Sequence, residues 1–267
     1  MPFTVSHVAA VLPLRKTRLI WSALIVGAMA PDFEYFMRLS LEDRYSHTLK
    51  GTLEITLPLA LLALWLFHRF VKDAFLELMP ESIRARAARS TARFRFGGAA
   101  RFMLILISIL VGVWTHLVWD SLTHSSPLTQ RSPLLLHPVF AWHGRDVPVY
   151  ELLQHVSSVL GLAILAAWLV WWYRSEPSTS QCDPPGKTGW WYAVSNGWSA
   201  TQILTLAVIA LVALVAGLAR ALSQTDISSG HIRLQLFTGL LVTTAMATAW
   251  WEFVLLGIWR EKHPGRE

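Results

Sequence analysis

Cysteine is nearly missing from this sequence: Cys182 stands alone among 267 residues. That excludes an intramolecular disulfide and any cysteine-based metal site, and it is silent on compartment. Charge is scarce as well. Asp, Glu, Lys and Arg make up 15% of the chain, against roughly a quarter in a soluble domain, so an ordinary soluble fold is excluded. No G-x-S-x-G elbow and no Gly-rich phosphate loop occurs, which leaves acyl-serine and nucleotide-driven mechanisms without support. The absence of a visible internal repeat weakens an inverted-repeat transporter.

What is abundant is apolar. Hydrophobic residues reach 54%, and five runs are long enough for a hydrocarbon core that needs about 20 helical residues. They are approximately Leu53–Phe67 (extended back to Thr48, with Pro58 inside), Phe102–Trp119, Leu152–Tyr173, Ala200–Leu222 and Leu234–Trp259. Trp114, Trp119, Trp171, Trp172, Trp198, Trp250 and Trp251 crowd their ends, as an aromatic belt does. The expected fold class is an all-α polytopic membrane bundle of five full transmembrane helices, preceded by an N-terminal helical hairpin that is re-entrant or interfacial.

That hairpin is inferred from a sixth run, Leu19–Ala30, which is too short to cross and suits a re-entrant, interfacial or signal-peptide segment. Arg15, Lys16 and Arg18 before it and Ala28-Met29-Ala30 at its end resemble a signal peptide. Pro31 at the first mature position argues against cleavage. If Ser6–Leu14 and Leu19–Ala30 are helices joined by a turn at Arg15–Arg18, with Ser6 as N-cap, His7 comes beside Asp32.

The net charge of +6 reads as a topology signal, not as a nucleic-acid footprint. Arg69–Arg101 carries eight basic and three acidic residues, whereas Asp120–Leu153 carries only Arg131 and Arg145. This places the former in the cytoplasm and the latter on the outer side of the membrane. The expected organisation is residues 1–173 as hairpin plus three-helix unit, 174–198 as a flexible Pro/Ser/Gly linker, and 199–267 as a C-terminal helix pair.

With that topology seven of the ten histidines fall at outer helix ends. The sharpest signal is T-H-L-V-W-D-S-L-T-H, Thr115 to His124. His116 and Asp120 are four apart and share a helix face, a spacing that can ligate one divalent metal. Merely capping the helix at headgroup level is the bland reading. His124 continues the stripe if the helix extends. Ser46-His47-Thr48 opens the first span, and Asp32 follows Pro31, where it is an N-cap for a helix near Phe33 or a ligand.

The opening M-P-F-T-V-S-H-V-A-A-V-L-P-L resembles an uncharacterised bacterial membrane family defined by that start. A-L-I-V-G-A-M-A-P-D-F-E-Y-F, Y-S-H-T-L-K-G and the Thr115–His124 motif fit the same family, and Pro148–Gly161 fits more loosely. The pattern is similar, more distantly, to membrane-bound metal-dependent hydrolases and zinc-dependent phospholipase C. That resemblance implies His7, Asp32, His47, His116 and Asp120 as metal ligands. The dense further His and Glu cluster of three-zinc phospholipases is missing; His124, His137 and His143 are the residues that could substitute.

The expected function is a membrane-embedded metal-dependent hydrolase acting on a lipid or lipid-linked ester or phosphoester. Its ion would be divalent, with zinc favoured by imidazole and carboxylate donors, and Asp32 or Asp120 would orient or deprotonate the water. Arg131 or Arg145 could hold a phosphate. The bilayer is the expected partner, and no nucleic acid is. A metal-stapled scaffold is the alternative; a transporter ranks last, since Glu252 is the clearest of few charges within the spans.

Overall fold

The computed structural model describes residues 3–41, 45–90, 94–142, 145–175, 197–224 and 231–263. The expected linker 174–198 lies almost wholly outside them. The described residues are all-α apart from one small antiparallel hairpin, Pro138–Trp142 with Arg145–Pro148. Among the described residues, five helices are long and apolar enough to cross a membrane: Leu49–Glu77, Ala99–Thr123, Val149–Ser175, Ala200–Gln224 and Leu236–Lys262. They are called the first to fifth spans below. The first runs past Arg69 and Lys72 to Glu77, eight residues beyond the start of the basic stretch, because Lys72-Asp73-Ala74-Phe75-Leu76-Glu77 contains no breaker. Pro58 lies inside it and offers no N–H to the carbonyl one turn back. The turn just before it, Thr52–Thr56, is π-helical, a widening that relieves such a conflict without ending the helix.

The chain divides into two compact units. One comprises residues 1–33, 44–61 and 96–169. Its N-terminus is a hairpin whose arms are too short to cross: a mixed 3-10 and α arm from Thr4 to Lys16, then an α-helix Trp21–Met29 that tightens into a 3-10 turn, Ala30–Asp32. Val8, Val11, Leu24 and Ala28 form the core between the arms. Ser6 was expected as the N-cap, but Phe3 holds that position, and the Ser6 hydroxyl instead donates to the Phe3 carbonyl at 2.6 Å. The arm begins three residues early because Phe3 itself is anchored, its N–H donating to Ser158 Oγ at 2.9 Å.

The second arm lies along the second span at backbone contact. A Cβ on Gly27 would sit 2.2 Å from the Ile109 carbonyl oxygen, and one on Gly112 would sit 2.4 Å from the Leu24 oxygen. No other residue fits that approach. The Ile20 N–H donates to Ser108 Oγ at 2.9 Å, which fixes the axial register of the two helices.

The other unit comprises residues 34–43, 62–95 and 170–267. Within it the fourth and fifth spans pair through a small-residue stripe, Ala213, Gly217 and Ala221, all buried, the usual device for close helix approach in lipid. Gly257 presses on the Phe70 carbonyl, opposite the π-helical turn Phe67–Val71. The end of the first span is closed by Gln202, whose Nε2 donates to the Glu77 and Met79 carbonyls at 2.8 and 3.1 Å.

Candidate metal centre

Four separate stretches of the first unit bring polar groups to one point. His7 ends the first 3-10 turn and is buried. Asp32 closes the hairpin's second arm, at 0% exposure. His47 sits in the turn before the first span, directly before Thr48, whose hydroxyl caps that helix by accepting from the Gly51 N–H at 2.9 Å. That turn is tight enough that a Cβ on Gly51 would collide with the Tyr45 carbonyl. His116 and Asp120 lie one turn apart on the buried face of the second span, near its C-terminus.

The distances suit shared ligation. His116 Nε2 is 3.1 Å from Asp120 Oδ2 and 3.5 Å from Asp32 Oδ1. His47 Nε2 is 3.4 Å from Asp120 Oδ2 and 3.8 Å from Asp32 Oδ1. One ligand atom from each of Asp32, His47, His116 and Asp120 falls within 4.8 Å of all the others. Bonds of about 2.0–2.2 Å in a tetrahedral zinc site put ligand atoms roughly 3.3–3.6 Å apart. This group could therefore hold a metal ion.

The hydrogen bonding points the same way. Both Asp32 oxygens, Asp120 Oδ1, His7 Nε2 and His116 Nε2 are buried and lack a hydrogen-bond partner. Buried polar atoms are rarely left so, and a carboxylate with neither oxygen bonded is costly without a cation. Asp32 precedes the helix Phe33–Arg38 without capping it, since its oxygens take no N–H. His116 is oriented from behind: its Nδ1 lies 2.8 Å from the Ala28 carbonyl. That contact requires a proton on Nδ1, so in the neutral ring Nε2 carries the lone pair and faces the carboxylates, the arrangement found behind ligating histidines. Behind His47, the Ser46 hydroxyl is 3.1 Å from Nδ1.

The two oxygens of Asp120 face different histidines. Oδ2 is turned to His116 and His47, whereas Oδ1 lies 3.4 Å from His7 Nε2 and 3.6 Å from His124 Nδ1. The His7 and His116 rings stack at 3.8 Å. Burial, then the neighbouring His116 ring, pushes the His7 imidazole down to about 4, against the pull of Asp120 and Asp32. His7 is thus neutral at ordinary pH, with a lone pair to donate. Burial also lowers His124, against the pull of Asp120.

His124 does not extend the helical stripe. The helix ends at Thr123, and His124 is its extended C-cap. It returns to Asp120 because Ser126 and Thr129 form a capping box just after it, and Thr129 Oγ1 donates to the His124 carbonyl at 2.7 Å. His137 is exposed and contributes no ligand atom to the four-residue group; His143 lies outside the described residues. Sequence reasoning overlooked the Ala28 carbonyl and the Gly27–Gly112 crossing that carries it to His116. The available signal was Gly112, one turn before His116, among bulky neighbours.

A family model matches residues 1–258, nearly the whole chain. The chain belongs to the family described as a domain of unknown function, DUF4184. Neither the comparison with curated proteins nor that with solved structures returned a match. All the residues of the centre fall within the stretch matched to this DUF4184 family.

Proposed function

We propose that the chain is a metal-dependent hydrolase embedded in the bacterial inner membrane, acting on a lipid or lipid-linked ester or phosphoester at the extracytoplasmic face. The observation that carries the reading is Asp32, fully buried with both oxygens bare and set against two histidine nitrogens. Asp32, His47, His116 and Asp120 would hold the ion, zinc by the preference of imidazole and carboxylate donors without thiolate. His7 and His124 face the other oxygen of Asp120, Oδ1, outside that four-residue group. A bound ion of this kind supplies Lewis acidity and a water activated near neutral pH.

The chain's own groups then divide the work. Asp32, sealed from solvent, fixes charge and geometry. Asp120 is the less buried carboxylate, and its Oδ1 can take a proton from water and hand it to His124. His47 and His124, with side chains 17% and 30% exposed, mark the open side by which substrate would enter, as a catalytic site requires. The outward orientation is supported by eight basic residues in 69–101 against two in 120–153.

A second reading is favoured by one feature: the ion's four ligands come from three separate stretches, so an ion would staple the hairpin to the spans without catalysis. Metal analysis of detergent-purified protein, beside chelator-sensitive turnover of a phosphodiester and a carboxylester panel, separates the two. Metal that His116→Ala abolishes, together with turnover lost in the same variant, supports the hydrolase. Metal without turnover on any substrate leaves the staple. Wild-type protein without metal sinks both.

A further inference from the structure

The segment that follows the centre is unusual for a loop between spans. Residues 124–148 contain only three charged residues, Arg131, Arg145 and Asp146. Yet Leu128, Leu134, Leu136, Val139 and Phe140 are all strongly exposed, Leu134 at 73%. Five large apolar side chains exposed within two short helices and a hairpin suit a surface that meets lipid or protein more than one that meets water. Both ends of the segment return to the same end of the bundle, since it joins the C-terminus of the second span to the N-terminus of the third. Exposed apolar side chains also flank the segment, Val118 and Trp119 near the end of one span and Val156 and Val159 near the start of the next. Its polar members, Ser125, Gln130, Arg131 and His137, are exposed too, so the segment presents polar and apolar side chains together.

We propose that this segment lies in the bilayer as an apron, its five apolar side chains seated at the boundary between headgroups and acyl chains. Amphipathic pieces with few charges and one apolar face lodge at that depth. The apron is tied directly to the centre, because Thr129 holds the His124 carbonyl and His124 faces Asp120. Resting on the hydrolase reading, it further assigns the route of substrate: laterally, from the leaflet, past His124, so that the substrate class is one that resides in the membrane.

The test uses full-length protein in lipid nanodiscs, with Cys182→Ser as background and a spin label at Leu134→Cys or Phe140→Cys. Ser125→Cys gives the aqueous reference, and Ile107→Cys, exposed on the second span, gives the hydrocarbon reference. Labels at 134 and 140 are expected to collide with oxygen severalfold more than with a water-soluble nickel complex, as at 107 and unlike 125. Labels that behave as at 125 would overturn the apron. So would labels shielded from both reagents with dipolar broadening between them, which would assign the patch to a second copy. Metal content of the same samples reports on the centre alone, so an empty centre with membrane-like labels breaks the hydrolase reading and not the apron.

Discussion

Two regions of the molecule handle charge in opposite ways. In the second unit, Arg260 pairs with Glu77 and Arg69 with Glu261, each cation answered by an anion at the rim of the spans. In the first unit, Asp32 and Asp120 face histidines, and His7 among them is neutral at ordinary pH. Partly exposed pairs of the first kind need no further partner. Two buried carboxylates among imidazoles carry excess negative charge, and a metal ion, which this group could hold, would balance it.

The sharpest way to break this contrast is to remove one ligand on each side. His116→Ala should empty the centre, with a loss of affinity beyond the roughly 10–100-fold seen when only an outer-shell partner of a ligand is removed. Glu77→Gln should leave metal content unchanged. Asp32→Asn sharpens the test, because it should abolish metal binding and yet raise the melting temperature of the metal-free protein by removing an uncompensated charge. A metal-free Asp32→Asn protein less stable than metal-free wild type would show that Asp32 is paired without an ion.

Acid should distinguish the regions next. His7 takes a proton near pH 6.5 when unfolded but only at about 4 when folded. Between those values the unfolded state binds more protons, so the stability of the metal-free protein falls as pH is lowered from about 6.5 toward 4. The loss is about 3 kcal/mol at most from this group. Chemical denaturation of chelator-treated protein across that window measures it, and His7→Gln should flatten the slope.

A smaller effect is expected from the helix crossing. Gly27→Ala places a Cβ against the Ile109 carbonyl and should cost about 1–3 kcal/mol as overpacking. Because Ala28 moves with it, metal affinity should fall as well, which melting temperature and metal titration of one sample report together. Smallest of all is Arg69→Ala. Its pair with Glu261 is nearly half exposed on both sides, so the change should lie within about 1 kcal/mol and leave metal untouched. A larger loss there would mean that the second unit depends on its rim charges more than such exposure allows.

How far this molecule can be read from its residues differs between fold and centre. The five spans were legible because a bilayer imposes one requirement, a long uncharged helix with every backbone group satisfied internally, and that requirement is written locally. The pairing of His116 with Asp120 was legible for a similar reason, since a four-residue spacing means adjacency on any helix. Ser6 misled because a serine near a helix start invites a capping role, whereas Ser158, distant in sequence, anchors Phe3 and starts the arm earlier.

The meeting of Asp32 and His47 with that pair is different in kind. Eighty-four residues separate Asp32 from His116, and no local propensity encodes their distance. It depends on two glycines letting one helix backbone rest on another, on Ser108 setting their register, and on the Gly51 turn aiming His47 inward. Each hydropathy run was decided by its own residues against the membrane, whereas the centre arose only when separate backbones came close enough for side chains from four stretches to share one buried point.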